Sequence, residues 1–128
     1  MVQSDTGGRT DIDPIWVDFL RSKVNSFIKW DLVRFFHDNP HTTDTAENIA
    51  RYTGRDLRTI SRELLDLVDT GVLNVQEVAS TRVFRLADDE SMRRLIDDFV
   101  AACHDREFRI KAIHYVIRSM GYGARQDF

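Results

Sequence analysis

Residues 45–86, TAENIARYTGRDLRTISRELLDLVDTGVLNVQEVASTRVFRL, decide the fold of this chain. The stretch begins with two short runs in which apolar residues recur at the spacing of a helix face. Gly54 stands between the two runs. Glycine adopts a positive φ without steric cost, so it is suited to end one helix and turn the chain into the next. The stretch therefore predicts two short helices joined by a tight turn.

Each of the two runs opens with a residue that favours a helix N-terminus. Thr45 precedes the first run and Asp56 opens the second, at residues 56–70, and the side-chain oxygens of both can accept early backbone N–H groups. The apolar residues of the second run form one continuous stripe, which consists of Leu57, Ile60, Leu64, Leu67 and Val68. This stripe predicts that one side of the second helix packs against a core.

The opposite face of the second helix carries the candidate DNA-binding residues Arg55, Arg58, Thr59, Ser61 and Arg62. A guanidinium can bond bidentately to guanine or to a phosphate, and hydroxyl groups contact base edges or the backbone. This combination favours a helix that enters a major groove. The alternative is an ordinary solvated face on which Arg62 pairs with Asp66 one turn later.

Two alternating runs, at residues 73–79 and 82–87, predict an antiparallel hairpin after Gly71. Ser80 and Thr81 are the predicted turn. The second strand carries Arg82 and Arg85, which are candidate contacts to a phosphate backbone or a minor groove. A two-stranded hairpin is marginally stable alone, so it must pack against the helices.

Residues 27–86 resemble the winged helix domains of bacterial and archaeal transcription regulators of the ArsR and MarR type. The shared patterns are A-x-x-I-A-x-x-T-G and L-x-x-L-x-x-x-G-x-L, which fall on Ala46, Ile49, Ala50, Thr53 and Gly54, then Leu64, Leu67, Gly71 and Leu73. The resemblance implies a mainly α fold with a small β-hairpin wing. It also implies a dimeric, cytoplasmic, DNA-binding regulator of transcription, with helix 56–70 reading the major groove of double-stranded DNA and the wing 73–87 contacting backbone or minor groove.

The remaining sequence predicts a disordered leader at residues 1–11 and a single domain at residues 12–128 with its core at 27–87. Helical patterns extend over residues 13–26 and 89–120. Breaks are expected at Asn25 and Ser26, at Pro40, and near residues 104–106. No apolar run is long enough to cross a membrane, so no membrane association is predicted.

The terminal helices carry more apolar surface than a small winged core can cover. We therefore expect a homodimer through helices 13–26 and 89–120, which would hold two reading helices about 34 Å apart, one DNA turn. The alternative is a monomer whose own terminal helices fold together.

The charge distribution bears on the DNA hypothesis. The chain has 18 Lys and Arg against 21 Asp and Glu, a formal charge of −3, which is unusual for a protein that approaches phosphates. Residues 55–62 contain three arginines and one aspartate, whereas residues 88–105 contain two arginines and six acids. The acidic residues are thus concentrated away from the predicted reading face.

The sequence contains no motif that predicts catalysis or a cofactor. Nucleophile–base pairs, glycine-rich phosphate loops and paired carboxylates are missing, so no enzyme is predicted. Cys103, His104, Asp105 and His114 lie near one another, but the two histidines are about 80° out of phase on a helix, so no metal site is predicted. An aromatic-lined effector pocket remains an alternative to simple core packing. The alternative function is a winged helix that binds a protein partner instead of DNA.

Overall fold

The computed structural model describes the backbone of residues 12–126 and the side chains of residues 12–120. This part of the chain contains six helices and one antiparallel hairpin, which confirms the predicted mainly α class. The elements in chain order are α1 (Pro14–Ser22), α2 (Phe27–Asp38), α3 (Ala46–Thr53), α4 (Leu57–Asp69), β1 (Leu73–Val78), β2 (Thr81–Leu86), α5 (Glu90–Ala102) and α6 (Arg106–Gln126). The predicted disordered leader, residues 1–11, lies outside the described residues.

Helix boundaries follow the capping residues of the sequence. Five helices begin after a residue whose side chain accepts a first-turn backbone N–H group: Asp13, Ser26, Thr45, Asp56 and Asp89. Gly54 has a φ of 68° and Gly71 a φ of 85°, which confirms that both glycines turn the chain at helix ends. The predicted breaks before residue 27, at Pro40 and near residue 104 are all present. Helix α6, however, continues past the predicted end at residue 120.

The hairpin turn differs from the predicted one by one residue. The register pairs Leu73 with Leu86 and Val78 with Thr81, which leaves Ala79 and Ser80 as a two-residue turn. Both turn residues have a positive φ, 53° and 69°. Two positive φ values give a turn whose twist matches that of the paired strands, so pairing of the strands outweighs the cost to two residues with side chains.

The core is one cluster to which all six helices and the hairpin contribute, and it includes Phe19 of α1 and Val116 of α6. Most of the predicted α4 stripe is buried, together with Val72 and Phe84. Leu57 is an exception and is 42% exposed, because it is the first residue of α4 and the buried stripe begins one turn later at Ile60. At the other side of the molecule α1 packs on α6 within the same chain, and the ring centroids of Trp16 and Phe108 lie 5.9 Å apart.

A short backbone bridge attaches the hairpin to the segment before α3. The N–H of Asp44 donates to the carbonyl of Phe84 at 3.1 Å, and the N–H of Phe84 donates to the carbonyl of Asp44 at 2.7 Å. The side chain of Phe84 is buried in the core at the same point. The bridge therefore holds the hairpin beside the N-terminus of α3 and next to α4.

Candidate nucleic-acid interface

Helix α4 is attached to α2 by a nearly buried lysine that the sequence did not single out. Lys29 Nζ lies 2.8 Å from Glu63 Oε1 and 3.3 Å from Asp66 Oδ2. Ser26 Oγ also donates to Glu63 Oε1, at 3.1 Å. Because Asp66 pairs with Lys29, the alternative Arg62–Asp66 pair is not formed in the described part of the chain. One face of α4 is thereby fixed to the core and the other is directed outward.

The outward face of α4 presents Arg58, Ser61 and Arg62 at the spacing of a single helix face. Both arginine side chains are exposed, and neither has an ion-pair partner within 4.0 Å among residues 12–120. Leu65 continues this face one turn later and is 37% exposed. The predicted polar face is therefore accessible at its centre.

A cleft of about 600 Å³ separates α4 from the hairpin. Its lining includes Ser61 and Leu65 from α4 and, from the hairpin, Arg82 with its cross-strand partner Glu77. Strand alternation places Arg82 on the same side of β2 as the buried Phe84, which faces the helices. We define the α4–hairpin surface as Arg58, Ser61, Arg62 and Arg82. Ser61 and Arg82 line this cleft, and Arg58 and Arg62 share the outward face of α4 with Ser61.

Two of the other predicted site residues are engaged in contacts at the start of α4. The guanidinium of Arg55 forms an ion pair with Asp31 of α2. Thr59 Oγ1 donates to Asp56 Oδ2 at 3.2 Å, and the backbone N–H of Thr59 donates to the same oxygen at 3.1 Å. These bonds from Thr59, the backbone bond first, lower the pKa of Asp56. Thr59 therefore stabilises the helix N-terminus, and Arg55 is held at the side of α4.

The remaining candidate, Arg85, is separated from Arg82 by the alternation of β2. Its guanidinium makes two hydrogen bonds to Asp88, of 3.1 and 2.9 Å. These bonds lower the pKa of Asp88 and raise that of Arg85. Because residues 82 and 85 differ by an odd number, their side chains leave opposite faces of the hairpin. The structure brings Arg82 to α4 and directs Arg85 away from it.

Carboxylates reduce the positive charge of this region. Glu47 and Glu77 line the cleft beside Arg82, and Asp56 lies at the N-terminus of α4. Both glutamates lie outside residues 55–62, so a count of charges in that stretch does not include them. Since the electrostatic contribution to phosphate binding grows with the number of phosphates neutralised, a nearly balanced charge does not favour tight binding of phosphates.

Asp44 is a further residue that sequence reasoning missed. Its Oδ1 accepts from the Thr45 N–H and from Asn48 Nδ2, both at 2.8 Å, and its Oδ2 accepts from Tyr52 Oη at 3.1 Å. Partial burial acts to raise the pKa of Asp44, but these hydrogen bonds outweigh it and the pKa is lowered. In the sequence, this role is indicated by the position of Asp44 directly before Thr45, the predicted helix N-cap. Asp44 joins α3 to the hairpin through its side chain and its backbone.

The described residues were also compared with the requirements of a reactive thiol, a metal site and a membrane-spanning helix, and they meet none of these. Burial raises the pKa of the half-buried Cys103 thiol to about 11, so at neutral pH this side chain is a protonated, weakly reactive group. Among the described side chains, no group of three His, Cys, Asp or Glu residues is arranged to hold a metal ion. None of the described helices combines the length and the apolar character needed to cross a bilayer.

Comparison of the sequence with protein-family models and with curated proteins gave no match.

Proposed function

We propose that this protein is a DNA-binding regulator of transcription with a winged helix fold. In this proposal α4 enters the major groove and the hairpin is the wing, which contacts the phosphate backbone or the minor groove. The observation that carries the proposal is the outward face of α4, where Arg58 and Arg62 are exposed and have no ion-pair partner within residues 12–120. Arg82 lies across the adjoining cleft.

The order of elements supports this assignment. A helix, a short bridging segment, two helices joined at Gly54 and an antiparallel hairpin follow one another from α2 to β2. The salt bridge of Lys29 holds one face of α4 to the core, so the opposite face is available to a groove about 12 Å wide. Rigid support of a reading helix limits the conformational entropy lost on binding.

The proposed contacts divide by chemistry. Arg58, Ser61 and Arg62 would contact base edges or phosphates in the major groove, and Arg82 would contact a phosphate from the wing. Arg55 would first have to leave Asp31, and Arg85 would have to leave Asp88. We therefore assign these two arginines, with Thr59, to secondary roles.

We further propose that the regulator is a homodimer through its terminal helices. Although α1 packs on α6 within one chain, large apolar side chains of these helices remain exposed, namely Ile15, Ile110, Ile117 and Met120. Ile117, for example, is 52% exposed. Sedimentation equilibrium tests this proposal: a monomer at all concentrations, or a dimer unaffected by Ile117→Glu, would contradict it.

The alternative function is that of a protein-interaction module. The presence of Glu47 and Glu77 in the cleft, and the exposure of Leu57 and Leu65 on α4, favour this alternative. An apolar and nearly neutral surface is more typical of a protein interface than of a phosphate-binding one.

A salt-titrated binding assay separates the two functions. We expect the parent protein to bind labelled random duplex DNA at low salt, and Arg58→Ala and Arg62→Ala each to weaken binding by about tenfold. Arg94→Ala is the matched control, because Arg94 is an exposed arginine of α5 outside the proposed interface. No binding by the parent at low salt, or an equal loss in the control, would contradict DNA binding.

A further inference from the structure

A second cleft lies between α2 and the turn that joins α5 to α6. Its volume is about 480 Å³, and it is lined by Trp30, Arg34, Val100, Cys103, His104 and Arg109. None of these residues belongs to the α4–hairpin surface. The cleft is within the range of roughly 300–1,000 Å³ that accommodates small molecules.

The two arginines that line this cleft, Arg34 and Arg109, are hydrogen-bond donors, and His104 lies beside them. Arg34 is exposed and has no ion-pair partner within 4.0 Å among residues 12–120. Arg109 donates from Nη1 to the backbone carbonyl of Cys103 at 2.7 Å, which holds the guanidinium at the cleft and leaves its other N–H groups available. None of the described lining residues is a carboxylate. The cleft therefore presents two guanidinium groups that no carboxylate of its described lining neutralises.

Two carboxylates on neighbouring elements do not pair with these arginines. Asp97 lies one turn before Val100 on α5, and its Oδ1 is 3.3 Å from His37 Nε2. Asp105 follows the cleft residue His104, and its Oδ1 accepts the backbone N–H of Glu107 at 3.2 Å. Both carboxylates are thus engaged outside the cleft lining.

Trp30 supplies a further donor and an apolar wall. The residue is 8% exposed, and no hydrogen bond joins its indole N–H to another residue of the described range. This N–H is therefore not fully buried, because every fully buried side-chain nitrogen or oxygen there has a partner. Its ring packs on Phe99 with centroids 5.3 Å apart, so the core fixes its position. Val100 adds aliphatic surface to the same cleft. A ligand here would meet a rigid apolar wall next to cationic groups.

We propose that this cleft binds a small organic anion, with a carboxylate or phosphate group held by Arg34 and Arg109 and an apolar body against Trp30 and Val100. Guanidinium groups bind such anions through two parallel N–H bonds, and the indole N–H is the additional donor. The proposal is independent of DNA binding, because no residue is shared between the two sites.

The indole N–H resonances of the ¹⁵N-labelled protein test the proposal directly. The chain has two tryptophans, Trp16 and Trp30, and Trp30→Phe assigns the two signals. The protein is titrated separately with benzoate, phenyl phosphate and the neutral benzyl alcohol. We expect benzoate, phenyl phosphate or both to shift the Trp30 signal saturably and more strongly than benzyl alcohol does. The anion that binds more tightly identifies the preferred head group.

Substitutions distinguish the site from general attraction of anions. Arg34→Gln and Arg109→Gln should each weaken binding by about tenfold or more, since each removes a charge-assisted pair. Arg94→Gln, at an exposed position outside the cleft, should leave the affinity unchanged. Arg34→Gln removes no side-chain hydrogen bond found among the described residues, so it remains informative if Arg109→Gln unfolds. Absence of saturation with both anions, equal shifts by benzyl alcohol, or an equal loss in Arg94→Gln would overturn the proposal.

Discussion

Lys29 Nζ of α2 and Glu63 Oε1 of α4 form an ion pair of 2.8 Å in which both side chains are nearly buried, 10% and 13% exposed. The pair lies on the side of α4 that faces α2, about 100° around the helix from Arg62. Because buried charges are costly unless paired, this contact favours a single orientation of α4 relative to α2. The Lys29–Glu63 pair therefore helps to determine which face of α4 is exposed to solvent.

Lys29→Met should reduce the free energy of unfolding by about 3 kcal/mol, because it leaves the nearly buried Glu63 carboxylate without its cation. Urea denaturation followed by circular dichroism measures the change. The double variant Lys29→Met/Glu63→Met should recover much of the loss. Arg94→Met, on the exposed surface of α5, should change stability by less than about 0.5 kcal/mol. An unchanged urea midpoint for Lys29→Met would show that the pair does not stabilise the fold.

Asp31→Asn should increase the affinity for random duplex DNA, since it removes a negative charge and releases Arg55 for a phosphate. The slope of log affinity against log salt should become steeper by about 0.9, the value for one additional phosphate contact. Anisotropy titrations at several salt concentrations measure both quantities. Asp98→Asn, an exposed aspartate of α5, is the matched control. Equal effects of the two substitutions would argue for net charge instead of release of Arg55.

Replacing Ala79 and Ser80 by Asn and Gly should stabilise the hairpin, because both positions have a positive φ that these residues adopt more easily. The expected gain is about 1 kcal/mol in the free energy of unfolding. The converse substitution, Ala79→Val, should destabilise the protein, since β-branched residues tolerate this conformation poorly. Thermal unfolding of the three proteins provides the comparison. A lower melting temperature for the Asn-Gly variant would contradict the observed turn geometry.

The contribution of Asp44 should depend on pH. Hydrogen bonds outweigh partial burial and hold its pKa below the ordinary value of 3.8. Since the folded state then prefers the carboxylate, the stabilisation is present above the unfolded pKa and is lost as pH falls through the lower folded pKa.

Asp44→Asn should accordingly be less stable than the parent protein at pH 7, by about 1 kcal/mol, and the difference should shrink below about pH 4. Urea midpoints at a series of pH values measure this convergence. Asp18→Asn, at an exposed carboxylate of α1 without a side-chain hydrogen bond among the described residues, should show no such convergence. A difference between Asp44→Asn and parent that stays constant down to pH 3 would contradict the role of the carboxylate.

Local chemistry predicted most element boundaries. Thr45 and Asp56 cap helices and Gly54 and Gly71 end them, because each effect acts within one turn of chain. The hairpin turn lies one residue earlier than predicted, because the register of a β-hairpin depends on which residues of the two strands pair. Leu57 belongs to the predicted apolar stripe but is exposed, because periodicity identifies a helix face and not the position along the helix at which the core begins.

The candidate site likewise combines features set by local spacing with features set by packing between elements. Helical spacing alone places Arg58, Ser61 and Arg62 on the face of α4 opposite its buried apolar residues Ile60, Leu64 and Leu67. By contrast, Arg55 meets Asp31, 24 residues away, and Lys29 pairs with Glu63, 34 residues away, because α2 packs against α4. Likewise, only the packing of the hairpin brought Glu47 and Glu77 beside Arg82. Periodicity acts over neighbouring turns, whereas ion pairs between elements depend on how the whole core packs.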